Sequence, residues 1–207
     1  MGGHSVTLII MATMLEAKPF VSGLGLEAVS EKPFPVFKSN NRVLVISGIG
    51  KAHAAAATAF GCVLFKPSRV INAGAAGALE TGYPVGAMVQ IRHIVEHDRP
   101  DIFTGRPVSH QPDMVAGGLA AAVLATGDRP VIQPADRKAL SVLAGLVDME
   151  AAAVVQTCRT LAVPCHIFKF VSDEPGHTNG LDIINNIRAF RTPFFEFINT
   201  FVLEHPV

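Results

Sequence analysis

The chain has 207 residues, 49% of them apolar and only 16% charged, with 17 basic and 17 acidic side chains. That balance excludes a disordered chain and supplies enough buried positions for one domain over residues 1–207. A zero net charge without a Lys/Arg run lacks the positive footprint that a phosphate backbone needs, so nucleic acid is not an expected partner.

No apolar run is long enough to cross a bilayer, and the N-terminus shows no signal-peptide pattern. Cys62, Cys158 and Cys165 each lie in apolar surroundings, which fits buried thiols in a reducing cytoplasm.

Val6–Met11 reads as a buried first strand and Val43–Ile46 as a second. An alanine-rich helix from about Ala52 to Phe65 follows the turn Ser47-Gly48-Ile49-Gly50-Lys51. A short strand, Val70–Asn72, runs into the loop Ala73–Ala78, and Val85–Arg92 is a further strand. Glu96–Asp113, with Pro100, Gly105, Pro107 and Pro112, reads as an irregular flap. Val115–Ala125 is expected to be helical, Val131-Ile132 to open a strand, and Asp136–Leu143 to be a helix. Leu146–Asp148 ends a strand, Glu150–Leu161 is a helix, Cys165–Val171 is the last strand, and Asn179–Phe201 is helical. Continuous apolar strands alternating with helices predict an α/β layer fold. Phe190, Phe194, Phe197 and Phe201 recur at helical spacing and predict a packing face, with Pro193 as a break or kink.

In an open α/β sheet, ligands bind beyond the carboxyl ends of the strands. Glu16, the Gly74–Gly77 segment, Asp148-Met149-Glu150 and Ser172-Asp173 all fall there. The Gly48–Gly50 turn lacks the third glycine of a dinucleotide fingerprint and the Ser/Thr of a P-loop, so it is read first as a tight turn. Gly74–Gly77 presents nothing larger than a methyl group, so a ligand or another backbone can pass close to it. Glu150, at a helix start in an apolar run, can accept two hydroxyl hydrogen bonds, as a ribose diol requires. Asp173, if buried, can give a proton to a leaving group, with Ser172 orienting it. Glu16 is either a helix-start acid or a base that positions water. The histidines and cysteines show no metal-ligand spacing, so neither metal nor cofactor is expected.

Taken in order, Ile9–Ala17, Ser47–Lys51, Asn72–Ala78, His97-Asp98, Thr126–Asp128, Val147–Ala153 and Val171–Asp173 resemble the nucleoside phosphorylase/nucleosidase superfamily. Within it they are most similar to the 5'-methylthioadenosine/S-adenosylhomocysteine nucleosidases. The resemblance implies a three-layer α/β/α sandwich with a twisted mixed central sheet and hydrolysis of a 5'-substituted adenosine to adenine. By the same resemblance Glu16 orients water, Glu150 holds the ribose hydroxyls, Met149 packs on the sugar, and Asp173 with Ser172 serves the purine at N7. Ala75 and Gly77 lie against the substrate, and the backbone near Val131 meets the base. The partner implied is a second copy of the chain, a homodimer, contacting the flap at Asp98–Pro107.

Phosphorolytic relatives carry an arginine where this chain has Asn72, which favours water as the nucleophile. Arg69 lies on the wrong side of its strand, and Lys51 substitutes only if it turns inward. Arg129-Pro130 stands where the family commonly has a stacking phenylalanine, Ala75 replaces a serine, and Lys169 replaces an arginine. A trimmed flap leaves the 5'-group open, including futalosine or an adenosylated hopanoid lipid. Phosphorolysis to a pentose 1-phosphate is the alternative reaction.

Overall fold

The computed structural model describes residues 5–116, 118–177 and 179–204. In chain order the elements are β1 (Thr7–Met11), α1 (Met14–Gly23), β2 (Glu27–Ser30), β3 (Val36–Ser39), β4 (Arg42–Ile46), α2 (Lys51–Phe65), β5 (Arg69–Ala78), β6 (Met88–Pro100), β7 (Pro107–His110), β8 (Ala121–Thr126), α3 (Pro134–Leu140), β9 (Leu146–Asp148), α4 (Ala151–Thr160), β10 (Cys165–Asp173) and α5 (Gly180–Ile198). A π-helical turn, Asn199–Leu203, closes the described chain.

The strands form one mixed sheet with helices on both faces, the expected α/β sandwich. The unbroken apolar character of β1 follows from this layering. Leu8 and Ile10 pack with Ala54 and Ala57 of α2 and with Val154 and Val155 of α4. Ile9 and Met11 face the other way, onto Phe20 of α1 and Phe194 and Ile198 of α5. Small side chains let α2 approach closely: a Cβ at Gly61 would meet Leu8 Cδ2 at 2.6 Å.

β1 pairs in parallel with β4 and β5, and β3 and β2 extend the sheet beyond β4. β10 lies between β5, parallel to it, and β6, antiparallel. β6 pairs with β8, β8 with β9, and β9 returns to β5, so five strands close into a circuit.

Several expectations from sequence are corrected. Ala73–Ala78 is not a loop, because β5 continues through it and pairs with β10 from Val70 to Gly77. Within the expected helix Val115–Ala125, where Gly117 lies outside the described residues, residues 121–125 belong to β8. Alanine favours a helix locally, but Ala122, Leu124 and Ala125 fit a strand enclosed between β6 and β9, and that tertiary setting prevails. Much of the expected irregular flap is a hairpin in which Ile94, Val95 and Glu96 face His110, Ser109 and Val108. Val131-Ile132 opens no strand, and the helix expected at Asp136–Leu143 begins two residues earlier and ends at Leu140. Pro193 sits inside α5 without ending it. Of the phenylalanine stripe, Phe194 is buried and Phe190 and Phe197 partly so, while Phe201 is 50% exposed. All three cysteines are free and buried.

Candidate active site

Glu16 stands in the first turn of α1, directly after β1. Thr13 caps that helix: its Oγ1 accepts from Glu16 N at 3.3 Å and donates to Glu16 Oε2 at 2.5 Å. The other carboxylate oxygen accepts from Ala75 N at 2.8 Å. A Cβ on Gly74 would sit 2.9 Å from that oxygen, so glycine is required for the close approach. The carboxylate is therefore set before any substrate arrives.

Glu150 is the residue before α4, and its Oε1 accepts from Gly50 N at 2.9 Å. Gly50 has φ 100°, a conformation that favours glycine, so the tight turn after β4 directs an amide at Glu150. Burial, and then the neighbouring Asp148 carboxylate, push Glu150 up to about 7, against the opposing pull of Lys169 and the Gly50 amide.

Asp148 plays a different part. It accepts from Thr126 Oγ1 at 2.6 Å and Ala151 N at 2.9 Å, and Lys169 Nζ lies 2.8 Å away. Asp148 thus caps α4 and anchors a lysine that is only 1% exposed. Burial alone would lower the Lys169 pKa, but the carboxylates of Asp148 and Glu150 outweigh it and hold it above the usual lysine value.

Asp173 ends β10. Ser172 Oγ donates to its Oδ1 at 2.5 Å, and Arg137 from α3 forms an ion pair with Oδ2. Arg137 is 1% exposed and also donates through Nη1 to Ala78 O at 2.8 Å. A Cβ on Gly77 would lie 2.9 Å from Asp173 Oδ2 and 3.4 Å from Arg137 Nη1. Sequence reasoning did not single out Arg137, whose segment Pro134–Leu140 reads as a polar surface helix.

These groups surround a cavity of about 340 Å³ lined by Glu16, Ala75, Gly77, Met149, Glu150 and Ser172, with Ile183, Ile184 and Ile187 of α5 opposite. An adjoining space of about 170 Å³ continues past Met149 to Val131 and Asp173. All eight residues singled out in sequence for the site therefore meet around one continuous space. Four buried carboxylates, Glu16, Asp148, Glu150 and Asp173, are matched here by two buried cations, Arg137 paired with Asp173 and Lys169 with Asp148, while Arg129 lines the adjoining space from the exposed side, 3.6 Å from Asp136.

The positions weighed for phosphate do not supply a clamp. Asn72 is buried and donates to Ile10 O at 3.1 Å. Lys51 turns to Asp98 at 2.6 Å and Glu96 at 3.3 Å.

Comparison with known proteins identifies the family. The model of the phosphorylase superfamily matches residues 34–202. The 5'-methylthioadenosine/S-adenosylhomocysteine nucleosidase of Hydrogenovibrio crunogenus is 32% identical over 165 residues, covering 67% of this chain and 70% of the relative. That of a Geobacillus species is 32% identical over 160 residues, covering 65% and 68%. Among solved structures, the nucleosidase of the same name from Neisseria meningitidis, in complex with methylthio-immucillin-A, superposes with a TM-score of 0.81 at 25% identity over 97% of this chain and 100% of that one. The futalosine hydrolase of Helicobacter pylori shares the fold, with a TM-score of 0.86 at 20% identity over 98% and 99% of the two chains. The chain belongs to the phosphorylase superfamily and, within it, to the 5'-methylthioadenosine/S-adenosylhomocysteine nucleosidase family.

Proposed function

We propose that this protein hydrolyses the N-glycosidic bond of a 5'-substituted adenosine and releases adenine. The observation that carries the reading is the excess of buried carboxylate around the main cavity, whose lining holds no Lys or Arg among the described residues; Arg129, at the adjoining space, is largely exposed and faces Asp136 at 3.6 Å. Such a wall favours a sugar that becomes positively charged as the base departs, and it disfavours a phosphate dianion as nucleophile.

In this mechanism Glu150 accepts the ribose hydroxyls and Met149 packs against the sugar. Ala75 and Gly77 allow the nucleoside to lie close to β5. The base occupies the space beside Val131, where Asp173, oriented by Ser172, hands a proton to N7. As the C1'–N9 bond breaks, Glu16 holds water against C1' and takes its proton, and the pentose leaves as the free sugar. The test is adenine release from 5'-methylthioadenosine with and without phosphate. A free pentose formed at a phosphate-independent rate is expected; a pentose 1-phosphate would show that phosphorolysis is the reaction.

Glu150 makes the reaction pH-dependent. Ribose hydroxyls donate to the ionised carboxylate, whose folded-state pKa is about 7. As pH falls through that value the acceptor is lost, so kcat/KM is expected to fall by about tenfold per pH unit. In the bound complex the ribose bonds favour the ionised form, so the acid limb of kcat lies at lower pH. A Glu150→Gln variant that kept the same acid limb in kcat/KM would remove Glu150 from this role.

A homodimer in the cytoplasm completes the proposal. Ile102 and Phe103, at the tip of the β6–β7 hairpin, are 88% and 89% exposed, as suits a surface covered by a second copy. The three free, buried thiols are in keeping with a reducing compartment, and among the described residues no helix is long and apolar enough to cross a membrane. Ile102→Asp/Phe103→Asp is expected to shift a dimer to monomer in sedimentation analysis; a wild-type monomer would rule the dimer out.

A further inference from the structure

The amino-terminal edge of the sheet holds a second cavity, of about 320 Å³. Glu16, Glu150 and Asp173 cluster at the carboxyl ends of the strands, whereas this cavity opens among their first residues. Thr7 of β1, Arg42 of β4 and Arg69 of β5 are register partners across three adjacent strands, and all line it together with His166 of β10. Along β5, Arg69 and Gly77 are separated by roughly 25 Å.

Among the described residues no carboxylate pairs with Arg42 or Arg69. Arg69 is pinned on two sides, with Nε donating to Thr7 Oγ1 at 3.1 Å and Nη2 to Val202 O at 3.2 Å. Its Nη1 is buried and has no acceptor among the described residues. Burial and the repulsion of Arg42 lower the Arg69 pKa. Burial likewise lowers that of His166, with Arg69 among the cations opposing its charge. His166 is 2% exposed, and its Nδ1 lies 2.9 Å from Asp113 O. A carbonyl only accepts, so that nitrogen carries hydrogen, and in the neutral ring Nε2 is an acceptor.

A buried guanidinium nitrogen without an acceptor, as at Arg69 Nη1, is costly, and a planar fork of donors matches a tetrahedral oxyanion. We propose that this cavity is a second binding site, for a phosphate group, held by Arg42 and Arg69 with the Thr7 and Ser68 hydroxyls beside them and His166 Nε2 accepting the phosphate proton. The group is either inorganic phosphate or the terminus of a small phosphomonoester. Its distance from the carboxylate-lined cavity makes it a bound ligand and not a reactant.

Calorimetric titration of the whole chain with inorganic phosphate, at constant ionic strength set by chloride, tests the site. Saturable binding of one phosphate per chain is expected, weakened at least ~10-fold in Arg42→Met/Arg69→Met. Adenine release by that variant should stay within about twofold of wild type, a change too small for a lost transition-state contact. Arg42→Met alone, which leaves the Arg69 bonds to Thr7 and Val202 in place, covers the case in which the double variant does not fold. Parallel titration with glycerol phosphate separates the sources: binding of both assigns a phosphomonoester site, and binding of inorganic phosphate alone assigns the free ion. Absence of saturable binding in the wild type, or undiminished binding in the folded variants, overturns the proposal.

Discussion

Asp173→Asn is expected to lower kcat for adenine release by about 10²–10⁴-fold while leaving KM nearly unchanged. Asparagine keeps the shape of the side chain and an acceptor for Arg137 or Ser172, but it has no carboxyl proton to transfer. In the free protein both carboxylate oxygens already accept a hydrogen bond, from Ser172 and from Arg137. In the proposed mechanism Asp173 takes a proton from solvent as the purine arrives and hands it to N7, and these two donors hold the carboxylate that remains. The loss then falls on the step in which negative charge develops on the base, not on binding. Steady-state kinetics with 5'-methylthioadenosine read the effect. A kcat within about tenfold of wild type would take Asp173 out of the acid role, since proton transfer by a placed side chain contributes more than that.

Arg137→Met is expected to destabilise the fold by about 3–5 kcal/mol, because it leaves the buried Asp173 carboxylate without its partner. The same substitution in an Asp173→Asn background is expected to cost much less, since no buried anion then remains. Urea denaturation of the four proteins measures the difference. A loss under about 1 kcal/mol, the scale of a surface pair, would show that the guanidinium does not carry the carboxylate. Activity of the single variant adds a second reading, because an Asp173 released from Arg137 changes position as well as charge balance.

Glu16, Glu150 and Asp173 were legible in the sequence because each follows an apolar strand, and strand ends are where an α/β sheet places its ligands. Arg137 was not. Its neighbours Asp136 and Lys138 make α3 look solvated, and only the placement of α3 against the end of β10 buries it. Asp148 was legible as an unusual buried acid, but its partners Thr126 and Lys169 are distant in sequence. The main strands were readable from unbroken apolar runs. β8 was misread because alanine carries a helical preference that says nothing about neighbours on both sides of a strand. The exposed edge strand β2 has three exposed residues of four and hence little apolar pattern to read. The hairpin β6–β7 is likewise masked, since its prolines and charged residues look like a loop until the cross-strand register is known.

The position of β10 also bears on when the protein becomes active during its synthesis. β10 pairs with β5, some ninety-five positions earlier, as Cys165↔Val70 shows, and it carries both Ser172 and Asp173. Such distant partners are costly to bring together, and their pairing is slow relative to local structure. A chain still emerging from the ribosome can bury β1, β4 and α2 early, with Glu16 held only by Thr13 until β5 supplies Ala75 N, and it then holds only part of the proposed catalytic set. The last acid arrives with the strand that closes the five-strand circuit, and the cavity gains its remaining wall only when α5 docks, so the site is assembled at the very end of synthesis.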